Sequence, residues 1–186
     1  GWTRMSLAGV STDRGRPQAV FEHAFAGIEA TADPAVRASL YSVVGHQLLQ
    51  SGNGRLALDC FRQAVVAGDL SVDLRSMAWA NIAEAAAVCG EVAEAGRALE
   101  ACGLDRLEEL SRFQAVQTLV TVAAALLALG RDAESDRARA RARVLAEEHG
   151  INEWLIKLEA DGPSRRIPPE AVEFAAGRLA ALSSPK

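Results

Sequence analysis

The sequence predicts an all-α fold, and three observations carry the prediction. Apolar residues make up 49% of the chain but aromatics only 5%, with much of the rest alanine and leucine, a mixture that favours closely packed helices over sheets filled with β-branched side chains. Apolar positions recur at spacings of three and four through most of the chain. Glycine-marked turns separate these stretches at Gly52-Asn53-Gly54, Gly90 and Gly130. With 186 residues, the chain suffices for one globular domain or a short array of repeats, and its apolar content argues against disorder throughout.

The helices can be justified in order. Trp2, Met5, Ser6 and Gly9 read as part of a first helix, so the chain looks as if it begins inside an array. Ser11 to Arg16 is a turn cluster, and Pro17 suits the first turn of a helix carrying Ala19, Val20, Phe21, Ala24, Phe25 and Ile28. Asp33 is an expected N-cap with Pro34 as the first helical residue. The pattern Tyr41-x-x-Val44-Gly45-x-x-Leu48 follows, then the Gly52 turn, then Ala57-x-x-x-Phe61-x-x-Ala64. After Gly68 and Asp69 it returns as Trp79-x-x-Ile82-Ala83-x-x-Ala86, Gly90, and Ala95-x-x-x-Leu99-x-x-Cys102. A further copy reads Leu119-x-x-Val122-Ala123-x-x-Leu126 and Gly130, but its second helix has Ser135 and Arg139 where alanine and a large apolar residue are expected. A short helix with Trp154, Leu155 and Leu158 comes next, broken at Asp161-Gly162-Pro163-Ser164. From about Pro169 a last helix places Val172, Ala175, Leu179 and Leu182 on one face, suited to covering the apolar end of a stack.

These patterns resemble the W-x-x-L-G-x-x-Y and A-x-x-x-F halves of the tetratricopeptide repeat. Matching positions at Trp2, Tyr41, Trp79 and Leu119 are 39, 38 and 40 residues apart, longer than the repeat's usual length of about 34. Extra residues are expected after Gly68 and around Cys102 to Arg112. The resemblance implies a right-handed superhelix of antiparallel helix pairs, an α-solenoid in which Gly45 and Ala57 allow close approach while Tyr41 and Phe61 fill the space around them. It divides residues 1–161 into repeats at about 2–32, 34–70, 73–104 and 107–148 plus the short helix, with 162–186 as linker and capping helix. By the same resemblance the first helices line a concave groove, formed by Ser42, His46 and Leu49, then Met77, Ala80, Glu84 and Val88 with Asn81 adjacent, then Gln117, Val120, Ala124 and Leu127. Only Asn81 matches the carboxylate-gripping residues of some members, so the implied partner is a protein or peptide with an apolar face, such as an amphipathic helix, rather than an acidic tail.

Chemistry is sought and mostly absent from the sequence. Phosphate-loop, H-E-x-x-H and G-x-S-x-G patterns are missing, and the Gly52 turn lacks dinucleotide-fingerprint spacing, so no cofactor is expected. His23, His46 and His149 fall in separate helix pairs, which argues against a metal. Cys60, Cys89 and Cys102 have no redox or ligand spacing and read as free thiols in helices, consistent with a reducing compartment. A net charge of −4 argues against nucleic acid as the direct partner. The run Arg137, Arg139, Arg141, Arg143 spreads around its helix and reads as a solvated face, with Glu134 three before Arg137 and Asp136 three before Arg139. The longest apolar run, Leu119 to Leu129, is far short of the roughly 20 residues of a membrane span, and the first ten residues lack a signal-peptide pattern. A soluble cytoplasmic protein is expected, and the dominance of arginine over lysine accords with a GC-rich bacterial source.

Three functions follow from these features. A non-catalytic protein- or peptide-binding module leads. A sensor or regulatory domain of a larger bacterial transcription regulator or signalling ATPase is suggested by the start inside a repeat and the long period. An enzyme built around His46 or His149 with Glu84, Glu147 or Glu148 is the third, and no pair at catalytic spacing supports it.

Overall fold

The computed structural model describes residues 17–151 and 167–183, and all regular structure among them is helical. The expected helices around Trp2 and around Trp154 lie outside the described residues. The α-helices are α1 (Pro17–Ala30), α2 (Pro34–Gln50), α3 (Gly54–Val65), α4 (Val72–Val88), α5 (Val92–Ala101), α6 (Arg112–Ala128), α7 (Asp132–Glu148) and α8 (Pro169–Ser183), with a 3-10 helix at Leu104–Glu109. They form two compact units. One holds α1, α2, α3 and α8, and the other holds α4 to α7.

In the first unit, local chemistry sets the ends of α2. Asp33 adopts extended backbone and its carboxylate accepts from the N–H groups of Ala35 and Val36 at 2.9 and 3.4 Å, with Pro34 at the first helical position as expected. At the other end Gly52 takes φ of +83°, and the Asn53 N–H reaches back to the Leu48 carbonyl at 2.8 Å. The chain reverses there, and α3 packs along α2.

The contact between these helices is close. A Cβ placed on Gly45 would lie 2.5 Å from Cε1 of Phe61, and Phe61 is fully buried, so its ring has no free space into which to move. Around this point Leu40, Val44 and Leu48 of α2 and Leu58 and Ala64 of α3 are buried, with Val20, Phe21 and Phe25 of α1. The C-terminal helix α8 packs against α1 and α3, burying Ala171, Ala175 and Leu179 and setting the Phe174 ring edge-on to Phe25 at 6.1 Å. Its buried stripe therefore includes Ala171, while Val172 and Leu182 are only half-buried.

In the second unit α4 packs on α5 and α6, and α6 packs on α7. The reversal after α2 recurs here in bond-for-bond form, with Glu91 N–H donating to Ala86 O at 2.8 Å and Arg131 N–H to Leu126 O at 2.9 Å. Ala83 and Ala123 stand where α2 has Gly45, and both are buried. The departure at Ser135 has a structural answer, because its buried hydroxyl donates to the Ala123 carbonyl at 2.8 Å and so replaces apolar contact with a hydrogen bond across α6 and α7. Arg139 faces solvent, which leaves that position free of any packing demand.

The extra length after Cys102 is folded rather than slack. Leu107 and Leu110 of the 3-10 segment and its end join the core with Met77, Leu119, Val122 and Leu126. The buried Ser76 hydroxyl donates to the Cys102 carbonyl at 2.7 Å, and the Ser111 N–H donates to Asp73 at 2.9 Å. All three cysteines are free, as expected; Cys89 and Cys102 sit at helix C-caps rather than within the helices. Burial pushes the Cys102 thiol up to about 12, so this sulfur is an inert packing group.

Glycines in one unit separate close contact from backbone entropy. Gly45→Ala should destabilise the first unit by about 1–3 kcal/mol through the Phe61 clash, whereas Gly177→Ala, whose Cβ would meet nothing within 4 Å, should stabilise it by about 0.5–1 kcal/mol. Urea titration of both variants checks this, and a stabilised Gly45→Ala protein would show that the helices are not held so near.

Candidate functional site

The structure places the three nominated residues of the first unit on α2. Ser42 is half-buried, and its hydroxyl donates to the Ala38 carbonyl at 3.0 Å. The Ser42 carbonyl in turn lies 2.7 Å from Nδ1 of His46, a partner that requires the proton on that nitrogen. The His46 ring stands edge-on to Phe61 at 5.3 Å, so this histidine packs over the tight α2–α3 contact. Leu49 is half-buried. Among the described residues, no group of three or more His, Cys, Asp or Glu side chains is arranged to hold a metal.

In the second unit the nominated residues lie on α4 and α6, which pack together. Along α4 their surroundings grade from core to solvent. Met77 is 6% exposed and belongs to the core with Leu107 and Leu119, so it serves packing. Asn81, one turn on, is fully buried, and neither its amide nitrogen nor its oxygen has a hydrogen-bond partner among the described residues. Leaving such groups unmade costs about 1–3 kcal/mol each, so Asn81 sits where apolar packing alone would have been more stable.

Glu84 follows on the same face, with Ala80, Ala87 and Val88 among its helical neighbours and no cation within four residues of it along the helix. Its side chain keeps part of its surface accessible, yet the carboxyl is set deep enough that desolvation pushes its pKa from 4.5 up to about 7. Val88 ends the stripe and is 54% exposed. On α6, Gln117 accepts from the Gln114 amide at 3.2 Å, while Val120 and Ala124 are half-buried and Leu127, the next residue of that face, is 49% exposed.

Several features were missed by sequence reasoning. Thr118 of α6 is fully buried with its hydroxyl unpartnered among the described residues, and the signal was its place on the apolar period, three after Ala115 and four before Val122. A cleft of about 300 Å³ lies in this unit, walled by Leu107, Ala115 and Leu145 and edged by Arg112 and Arg141. Arg141 is thus set apart from the rest of the arginine run. The expected ion pair of Glu134 with Arg137 is replaced by a two-bond pair with Arg131 at 2.7 and 2.6 Å, because Arg131 reaches the carboxylate from the preceding turn. In the first unit Tyr41, read from sequence as filling space, lines a larger cleft with Arg37 and Gln63. No helix among the described residues is long and apolar enough to cross a membrane.

Glu84 gives this face a pH signature. Its folded-state pKa lies above its unfolded value of 4.5, so the native state holds the proton more tightly and stability should fall as pH rises from about 4.5 to about 7. Glu84→Gln should therefore raise stability at about pH 8 by on the order of 2 kcal/mol, with little change at about pH 4. Thermal unfolding at both pH values checks this, and an equal gain at both would remove buried ionisation as the cause.

No protein-family model, curated protein or solved structure matches the chain, so the reading of this face rests on its own residues.

Proposed function

We propose that the chain is a helical-repeat binding module, similar to tetratricopeptide domains, and that the face of α4 and α6 takes an apolar segment of a partner protein or peptide. The observation that carries this reading is the pairing of exposed Val88 and Leu127 with a Glu84 carboxyl that has no hydrogen-bond or ion-pair partner among the described residues. Apolar area left in water is a source of binding free energy, about 25 cal/mol for each Å² a partner covers. An unpartnered carboxyl that ionises near neutral pH adds selectivity, since a partner's cation or N–H donor placed there meets an acceptor otherwise starved of one.

An amphipathic helix suits both features, with its apolar stripe on Val120, Ala124 and Leu127 and a basic residue at Glu84. The repeated reversals after α2, α4 and α6 support the kinship with repeat proteins, and the expected right-handed superhelix of antiparallel pairs belongs to the same reading. It assigns no catalytic role to the chain.

A panel of amphipathic helical peptides differing at one position, Lys, Ala or Glu, tests the proposal by fluorescence anisotropy. The Lys peptide should bind tightest, Leu127→Asp should weaken it by about tenfold or more, and Glu84→Gln should erase the preference for Lys. Val92→Asp, a change at an exposed apolar residue of α5, should leave binding intact. Binding indifferent to Leu127→Asp and Glu84→Gln, or no binding by any peptide, would overturn it.

A further inference from the structure

The first unit contains a cleft of about 640 Å³ bounded by α1, α2, α8 and the end of α3, a size typical of small-molecule sites. Its walls are partly apolar, from Ile28, Val66 and Leu182, and partly polar, from Arg37, Tyr41 and Gln63. Arg37 is the unusual member. It lies in the first turn of α2, where the helix dipole disfavours a cation, and it forms no ion pair among the described residues. Its Nη2 donates to the Thr31 carbonyl at 2.9 Å, which fixes the guanidinium, while its buried Nε has no acceptor among the described residues. The carboxylate sharing the cleft, Glu29, is paired with Arg178 and so does not neutralise Arg37.

Tyr41 lies one turn further along the same face of α2 and is 4% exposed, with no hydrogen bond to its hydroxyl among the described residues. Burial raises its pKa and the Arg37 charge opposes that rise, so the phenol keeps its proton as a donor and senses the guanidinium beside it. The Gln63 amide donates to the Ser183 hydroxyl at 3.3 Å.

We infer that this cleft binds a small organic carboxylate with an apolar body, its two oxygens taken by the guanidinium of Arg37 and the hydroxyl of Tyr41 and its body laid against Ile28, Val66 and Leu182. A guanidinium presents parallel N–H donors that match a planar carboxylate. Arg37, the one positive charge lining the cleft among the described residues, balances a singly charged acid and leaves the second charge of a phosphate unmatched. The apolar wall demands more than the anion alone. The site lies in a different unit from the α4–α6 face and stands independently of the peptide-binding reading.

Calorimetric titration of the full chain with octanoate, octanamide, acetate and inorganic phosphate tests the inference. Octanoate should bind at least about tenfold more tightly than each of the other three. Arg37→Met should erase the difference between octanoate and octanamide, Tyr41→Phe should weaken octanoate by roughly three- to tenfold, and Leu127→Asp should change nothing. Octanamide binding as tightly as octanoate, phosphate or acetate binding as tightly, or no octanoate binding would each overturn it. Should Arg37→Met fail to fold, the octanoate–octanamide comparison and Tyr41→Phe still decide.

Discussion

The space between α2 and α3 is filled by one aromatic ring, and the helix opposite that ring can carry no side chain. Phe61 occupies the volume that a Cβ on Gly45 would need, with three ring atoms within 2.8 Å of that position. The contact draws two backbones together and excludes water from Val44, Leu48, Leu58 and Ala64 on either side. It also supports His46, whose ring packs edge-on with the same phenylalanine. The reversal at Gly52 supplies the geometry that lets the two helices meet, and the packed ring keeps them there.

The second unit reaches the same end by gentler means. With Ala83 and Ala123 in place of glycine, the approach is relaxed by one methyl group, and the facing positions carry Leu99 and Arg139 rather than phenylalanine. This unit also has polar bonds inside its core: Ser135 to the Ala123 carbonyl and Ser76 to the Cys102 carbonyl. These buried hydroxyls are satisfied, whereas Asn81 and Thr118 are not. That contrast matters for function, because a core able to satisfy its serines has no structural need for an orphaned amide three residues before a desolvated carboxyl at Glu84. Of the polar groups that packing does not explain, the binding role falls to Glu84, which keeps part of its surface accessible.

Much of the fold was legible because helix chemistry is local. Asp33 and Pro34 announce a helix start whatever lies around them, and a glycine after an apolar period announces its end. The small and large residues at Gly45 and Phe61 were legible too, since their spacing places them on facing sides of a hairpin. What escaped depended on distant partners. Arg131 rather than Arg137 takes Glu134, the 3-10 helix buries Leu107 inside a stretch that read as polar linker, and α8 docks on Phe25 of the first helix pair through Phe174. Of the nominated groove residues, the helical period placed Met77, Ala80, Glu84 and Val88 on one stripe with Asn81 adjacent but could not tell that Met77 on that stripe is core. Depth is a property of the neighbouring helix, not of the period. The Arg37–Tyr41 pair went unnoticed for a similar reason, since its setting is completed by α8 from the far end of the chain.

The close packing of Gly45 against Phe61 is most directly tested by proton NMR of the intact chain. An α-proton of Gly45 lying against an aromatic ring should be shifted well away from its random-coil position by the ring current and should show nuclear Overhauser contacts to the Phe61 ring protons. Gly45 α-protons at random-coil shifts, with the Phe61 ring in contact with other residues instead, would contradict the hairpin geometry on which the rest of the structure depends.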